Sequence, residues 1–128
     1  MKIEHVAMYV HNLEKARDFF GTYFGGVSNE GYFNPKTGLR SFFLSFEDGA
    51  RLELMNIPGL EEKSGCPVYA GYAHLAFQVG TKEKVDALTA RLKSDGYRVL
   101  SGPRTTGDGY YESCVADSEN NRIEIVAG

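Results

Sequence analysis

The feature that most constrains the fold of this chain is an internal repeat. A shift of 69 positions aligns His5 with His74, and a shift of 71 positions aligns "RLEL" at 51–54 with "RIEI" at 122–125. The first shift also pairs Ala7 with Ala76, Val10 with Val79, Glu14 with Glu83 and Lys15 with Lys84. Self-similarity of this kind indicates two copies of one structural unit. Each copy begins with a strand that carries a histidine and ends with a strand that carries a glutamate.

Each copy has the pattern of a strand, a helix and further strands. In the first copy Asn12 is a good helix N-cap, apolar residues then recur at helical spacing, and Gly25 ends the helix. These apolar residues are Leu13, Ala16, Phe19, Phe20, Tyr23 and Phe24. The second copy repeats the plan between Thr81 and Gly96. The short apolar runs that follow, separated by turn residues, are typical of strands joined by hairpins.

The length of 128 residues is enough for one hydrophobic core and too short for two ordinary domains. We therefore expect a single domain, 1–128, with a first module at 1–57, a linker at 58–71 and a second module at 72–128. The linker is marked by prolines and several charges. The segment "GPRTTGDG" at 102–109 lacks the ending of a phosphate-binding loop and is interpreted as a loop at the rim of a pocket.

Composition excludes several classes of function. The net charge of -3 and the scattered basic residues argue against a nucleic-acid partner. No run approaches the ~18 apolar residues of a membrane span, and the N-terminus lacks the layout of a signal peptide, so we expect a cytoplasmic protein with no membrane partner. Cys66 and Cys114 are 48 positions apart and suggest neither a disulfide framework nor a thiolate zinc site. Each is expected to be a free thiol.

The alternation of the strands places the histidine and the glutamate of each copy on one face. On the first strand the even positions from Val6 to Val10 are apolar and must face the helix, so His5 faces away from it. Glu53 lies between two leucines on the closing strand and faces away as well. In the second copy the same reasoning applies to His74 and Glu124.

This arrangement points to a metal site. A single histidine or glutamate on a strand is usually structural, but a matched pair in both copies is not expected to persist by drift. Two imidazoles and two carboxylates suit a divalent ion such as nickel, zinc, cobalt, iron or manganese. If the modules pack about a pseudo-two-fold axis, the site lies on that axis. An octahedral ion with four protein ligands would keep two positions open for Lewis-acid catalysis.

The segments "EHVAMYVHNLEKARDFFGTYFG", "RLELM", "YAHLAFQV" and "RIEIV" resemble the vicinal oxygen chelate superfamily over essentially the whole chain. Its members include glyoxalase I, methylmalonyl-CoA epimerase, fosfomycin-modifying thiol transferases, extradiol dioxygenases and bleomycin-binding proteins. The resemblance implies an α+β fold, with two tandem βαβββ modules forming a curved eight-stranded sheet or half-barrel and a helix on the outer face of each module. It also implies that four residues bind the metal, namely His5, Glu53, His74 and Glu124.

Glutamate at position 53 most resembles glyoxalase I, a lactoylglutathione lyase. That resemblance implies a metal-dependent lyase or isomerase acting on a hemithioacetal of methylglyoxal or a similar 2-oxoaldehyde adduct through a metal-stabilised enediolate. Glu124 would be the base, with Glu53 as its opposite number, and both would also be ligands. Where glyoxalase I commonly carries an arginine for the carboxylate of glutathione, this chain has Tyr9. This difference argues against glutathione as the thiol.

Two alternatives stay open. One is another reaction of the superfamily, such as thiol transfer to a fosfomycin-like antibiotic. The other is a non-catalytic protein that sequesters a small molecule, as the bleomycin-binding relatives do, although these generally lack the metal residues. In every case we expect a small-molecule substrate or ligand and a homodimer. The metal site would form either within one chain or between two chains that exchange modules.

Overall fold

The structure is a computed structural model that describes residues 1–47, 49–62, 68 and 70–128. The chain divides into two compact units, Met1–Ser64 and Gly65–Gly128. Cys66, interpreted as a free thiol, and Pro67, interpreted as part of the linker, lie outside the described residues.

The first unit is one sheet covered by one helix. Its elements are β1 (His5–Tyr9), α1 (Leu13–Phe24), β2 (Val27–Ser28), β3 (Tyr32–Phe33), β4 (Arg40–Ser45) and β5 (Arg51–Asn56). The strand order is β1-β5-β4-β2, and β3 also pairs with β4. β1 and β5 run parallel, whereas the other pairs are antiparallel. The strand that opens the unit therefore lies beside the strand that closes it.

Helix α1 begins and ends where its sequence predicts. The side chain of Asn12 accepts a hydrogen bond of 3.0 Å from the backbone N–H of Lys15, which satisfies one free donor of the first turn. Gly25 ends the helix in the left-handed conformation with φ of 71°, which a residue without Cβ adopts freely. The buried side of the helix consists of Leu13, Ala16, Phe19 and Phe20, and it packs against β4 and β5.

The second unit repeats this plan. Its elements are β6 (Leu75–Gly80), α2 (Lys82–Ser94), β7 (Val99–Thr105), β8 (Tyr111–Ala116) and β9 (Arg122–Ala127). The strand order is β6-β9-β8-β7, with β6 parallel to β9. Thr81 caps α2 by accepting a hydrogen bond from the backbone N–H of Lys84 at 3.3 Å. No helix in the described ranges has the length and apolar character needed to cross a membrane.

The α+β fold and the tandem βαβββ modules are confirmed. The first sheet carries one strand more than the plan requires, because both β2 and β3 pair with β4. The sequence pattern "GYFNP" at 31–35 predicts the strand found as β3, whereas β2 has only two residues, too few for a period to be read from the sequence. The interpretation of 102–109 as a rim loop is partly wrong. β7 continues to Thr105, so only 106–110 form the turn. The backbone N–H of Thr106 closes that turn with a hydrogen bond of 2.7 Å to the carbonyl of Tyr110.

Candidate metal centre

Each unit places one histidine and one glutamate on the face of its sheet that lies away from the helix, here called the open face. In the first unit Glu53 is opposite Ala7 in the parallel register of β1 and β5, two residues beyond His5. In the second unit Glu124 is opposite Ala76, two residues beyond His74. The sequence predicted His74 within this strand, but β6 begins at Leu75, so His74 lies directly before it. The two units therefore present the same pair of side chains at the same register position.

The neighbours of each glutamate explain why it faces outward. Leu52 and Leu54 are buried on the helix side of β5, with 3% and 0% of their surface exposed. Ile123 and Ile125 are fully buried in the same way on β9. Because strand side chains alternate, the carboxylate between each apolar pair must emerge on the open face.

The imidazole and carboxylate of each pair lie close together. His5 Nε2 is 3.7 Å from Glu53 Oε2, and His74 Nε2 is 3.1 Å from Glu124 Oε2. The histidine side chains are 41% and 39% exposed, against 16% and 21% for the glutamates. In each pair the imidazole is therefore the more exposed partner, and the carboxylate lies deeper in the sheet surface.

The donor set of each pair fits a divalent cation. A neutral imidazole presents a lone pair at one nitrogen and an ionised carboxylate is acceptor-only, so two such atoms in proximity are stabilised by a proton or a metal ion between them. Within the described ranges, no group of three or more His, Cys, Asp or Glu side chains is arranged to hold a metal ion. Each described pair thus offers two ligands, fewer than the four of a structural zinc site.

Burial changes the acid–base character of the second pair. It raises the pKa of Glu124 above the usual value of 4.5, with Glu112 adding to the rise and the charges of His74 and Arg104 opposing it. Cys114 is directly opposite Glu124 in the register of β8 and β9 and is a free thiol, as expected. Burial raises the pKa of this thiol, so it stays protonated at neutral pH.

Around His5 the structure reveals partners that the repeat does not indicate. Its Nδ1 hydrogen-bonds to the carboxylate of Glu4, which also accepts from the guanidinium of Arg51. These two contacts, the His5 hydrogen bond above all, hold the pKa of Glu4 below its usual value. The one sequence feature that could have indicated these partners is the acidic residue directly before the first histidine, where the second copy has Ala73.

Comparison with known families agrees with this fold. The sequence profile of the Glyoxalase/Bleomycin resistance protein/Dioxygenase superfamily matches residues 2–125. The chain belongs to this superfamily. It is also similar to the "Uncharacterized protein YqjT" of Bacillus subtilis (strain 168), with 32% identity over 133 residues and 98% of each chain covered.

Solved structures of the same fold include a glyoxalase I and a fosfomycin resistance protein. One is the trypanothione-dependent glyoxalase I of Leishmania major, with a TM-score of 0.79 and 18% identity, covering 99% of this chain and 86% of that chain. Another is the fosfomycin resistance protein FosX of Listeria monocytogenes complexed with Mn(II) and sulfate, with a TM-score of 0.74 and 20% identity, covering 99% and 92%. At these identities the likeness shows the fold alone.

Proposed function

We propose that the protein is a metal-dependent isomerase of the glyoxalase I type, which converts a hemithioacetal of methylglyoxal or a similar 2-oxoaldehyde into a 2-hydroxy thioester. One observation carries the proposal: the two repeated units present the same histidine and glutamate at the same register position of their open faces. In the proposed site both pairs bind one divalent ion, with His5, Glu53, His74 and Glu124 as ligands. The pairs come from one chain or from two chains of a homodimer.

The donor set supports a divalent ion of intermediate softness. Mixed imidazole and carboxylate ligands suit nickel, zinc, cobalt, iron and manganese, and they are unlike the all-oxygen sets of calcium sites. The Mn(II) bound by the FosX protein, which has a similar fold, is in keeping with this choice. When bound, the ion would act as a Lewis acid that stabilises negative charge on two adjacent oxygens of the substrate.

Glu124 serves as the proton carrier. It takes the proton from the carbon that bears the sulfur and returns it to the neighbouring carbon, so the carbon skeleton and the oxidation level of the molecule as a whole are unchanged. A general base works best with a pKa near the working pH, and burial moves the pKa of Glu124 in that direction. Its carboxylate is 21% exposed, which leaves one side of it accessible to a substrate.

The thiol of the substrate is proposed to differ from glutathione. Tyr9 stands on the open face with His5, in the position where glyoxalase I commonly has an arginine, and it is 53% exposed. A phenol offers a ring and one hydrogen bond but no positive charge, so it cannot form the bidentate ion pair that a guanidinium forms with a carboxylate. A thiol without a carboxylate at that position fits this residue better.

The test is turnover of methylglyoxal with a panel of thiols by protein reconstituted with nickel, cobalt or zinc. We expect thioester formation, followed by ultraviolet absorbance, with at least one thiol and one metal, and its loss in Glu124→Gln. Metal binding without turnover of any adduct would overturn the isomerase proposal in favour of another reaction, such as thiol addition to a fosfomycin-like antibiotic. Failure to bind any metal would instead favour a non-catalytic binding protein.

A further inference from the structure

The imidazole of His5 in the proposed metal site contacts a second carboxylate, that of Glu4, through its other ring nitrogen. His5 Nδ1 contacts Glu4 Oε2 within hydrogen-bond distance, while His5 Nε2 points toward Glu53 Oε2 at 3.7 Å. We propose that Glu4 is a positioning residue: it holds His5 with the proton on Nδ1 and leaves the Nε2 lone pair for the metal ion. This inference rests on the proposed function only in assigning a metal to Nε2.

The chemistry of the contact sets the direction of the hydrogen bond. An ionised carboxylate has no proton to donate, so the hydrogen must belong to Nδ1. Histidine ligands of metals almost always donate their other ring N–H to a carboxylate, a carbonyl or water, and this partner fixes the tautomer and the ring orientation. Glu4 occupies the place of such a partner for His5.

The Glu4 carboxylate is itself fixed by Arg51, the residue opposite His5 in the β1–β5 register. Arg51 Nε donates to Glu4 Oε1 at 2.9 Å, and Nη2 donates to the same oxygen. The backbone N–H of Arg51 also donates to the carbonyl of Glu4, at 3.0 Å. Glu4 thus gives one carboxylate oxygen to the guanidinium and the other to the imidazole.

An aromatic ring completes the support. The guanidinium carbon of Arg51 lies 4.2 Å from the centre of the Phe43 ring, at cation–π distance. The imidazole of His5 meets the same ring edge-on, with centroids 5.4 Å apart and planes at 81°. Phe43 therefore packs against both the imidazole and the arginine that anchors Glu4.

The residues described at the matching positions of the second unit do not provide this support. Ala73 precedes His74 and has no acceptor side chain, and Cys114 takes the register position that Phe43 has in the first unit. The proposed site is therefore asymmetric, with a fixed His5 in one half. The other half, with His74 and Glu124, has an alanine in the place of Glu4 and a cysteine in the place of Phe43.

The tautomer of His5 in metal-free protein is the first readout. It is measured from the ring ¹⁵N chemical shifts at a pH where histidines are neutral, in wild type, Glu4→Ala and Glu4→Gln. We expect Nδ1–H in the wild type, a shift toward Nε2–H in Glu4→Ala, and retention of Nδ1–H in Glu4→Gln, whose amide oxygen still accepts. The signals of His74 should not change.

Metal affinity is the second readout, measured by calorimetric titration of Ni²⁺ into the same variants. Loss of an outer-shell partner weakens binding by about 10- to 100-fold, and we expect this for Glu4→Ala, with a smaller loss for Glu4→Gln. Glu30→Ala removes an exposed charge from the same unit and should leave both readouts unchanged.

Two results would overturn the inference, provided that thermal melts show the variants folded. One is a His5 tautomer that is the same in wild type and Glu4→Ala. The other is equal Ni²⁺ affinity in both proteins. If wild type binds no Ni²⁺ at all, the proposed function fails, and the tautomer comparison still decides whether Glu4 positions His5.

Discussion

His74 Nε2 lies 3.1 Å from Glu124 Oε2, close enough for the imidazole and the carboxylate to share a proton or to bind one ion side by side. The corresponding atoms of His5 and Glu53 are 3.7 Å apart. His5 lies on the first strand of its unit and His74 directly before the first strand of the other, while Glu53 and Glu124 lie on the last strands. In each unit the first and last strands are parallel neighbours in the sheet. In each unit, pairing of the first strand with the last strand therefore brings the histidine close to the glutamate.

The roles proposed for the two glutamates predict unequal effects of the same substitution. Glu124→Gln keeps an oxygen that can bind a metal but cannot accept the substrate proton, so kcat should fall by about 10²- to 10⁴-fold. Glu53→Gln should mainly weaken metal binding and reduce kcat far less at saturating metal. Steady-state kinetics at several metal concentrations separates the two effects. Equal losses of kcat in the two variants at saturating metal would contradict the assignment of Glu124 as the base.

A buried pair of hydroxyls between α2 and β8 predicts energetic coupling. Thr89 Oγ1 donates to the carbonyl of Val85 at 2.6 Å and lies 2.6 Å from Ser113 Oγ, with both side chains almost fully buried. Thr89→Val leaves the Ser113 hydroxyl buried without its partner and should cost about 1–3 kcal/mol of unfolding free energy. Ser113→Ala should cost about 1 kcal/mol, since Thr89 keeps its carbonyl acceptor.

The double variant tests this coupling. With both hydroxyls removed, no polar group is left unpaired, so the destabilisation should be smaller than the sum of the single effects by about 0.5–3 kcal/mol. Urea unfolding of the four proteins measures the cycle. Strictly additive effects would contradict a shared hydrogen bond.

Asp117 predicts a pH dependence of stability with a definite sign. Its carboxylate is 8% exposed and accepts hydrogen bonds from the backbone N–H groups of Glu119 and Asn121. Burial nevertheless raises its pKa above the usual 3.8, so the folded protein holds this proton more tightly than the unfolded chain. The contribution of the group to stability is thus fully present below about pH 3.8 and is lost as the pH rises through the folded-state pKa.

The matched variant is Asp117→Asn, which keeps an oxygen acceptor for the two backbone donors and removes the titration. The unfolding free energy of wild type minus that of the variant should decrease from about pH 4 to about pH 7. Urea melts at a series of pH values give this difference, and other titrating groups cancel in it. A difference that rises with pH would show that the carboxylate is stabilised as an anion instead.

The strand faces and the helices were predictable because they depend on local rules. Helix α1 begins at the capping residue Asn12 and ends at Gly25, which adopts the left-handed backbone. Alternation along β5 alone puts Glu53 on the other face of the sheet from its leucine neighbours. The repeat then identifies His74 and Glu124 as counterparts of the first pair. These inferences require no knowledge of which strands pair.

The environment of His5 was not predictable, because it depends on contacts between residues far apart in the sequence. Glu4 and Arg51 are 47 positions apart, and they meet only because β1 pairs with β5 in a particular register. Phe43 joins them from a third strand, and its apolar side chain gives no sign of facing an imidazole. Strand order and register arise from packing of the whole unit, so contacts of this kind appear only in the structure.

The most direct test of the proposed metal site is the binding of Ni²⁺ to wild type and three histidine variants, measured by equilibrium dialysis with elemental analysis. The chain has three histidines, and His11 pairs with Glu62 at 3.0 Å rather than with a glutamate of the proposed site. We predict one ion per chain, whether sites form within or between chains. We also predict loss of affinity by more than about 100-fold in both His5→Ala and His74→Ala, and no change in His11→Ala. Wild type without bound metal, or unaltered affinity in either site variant, would contradict the proposed metal site.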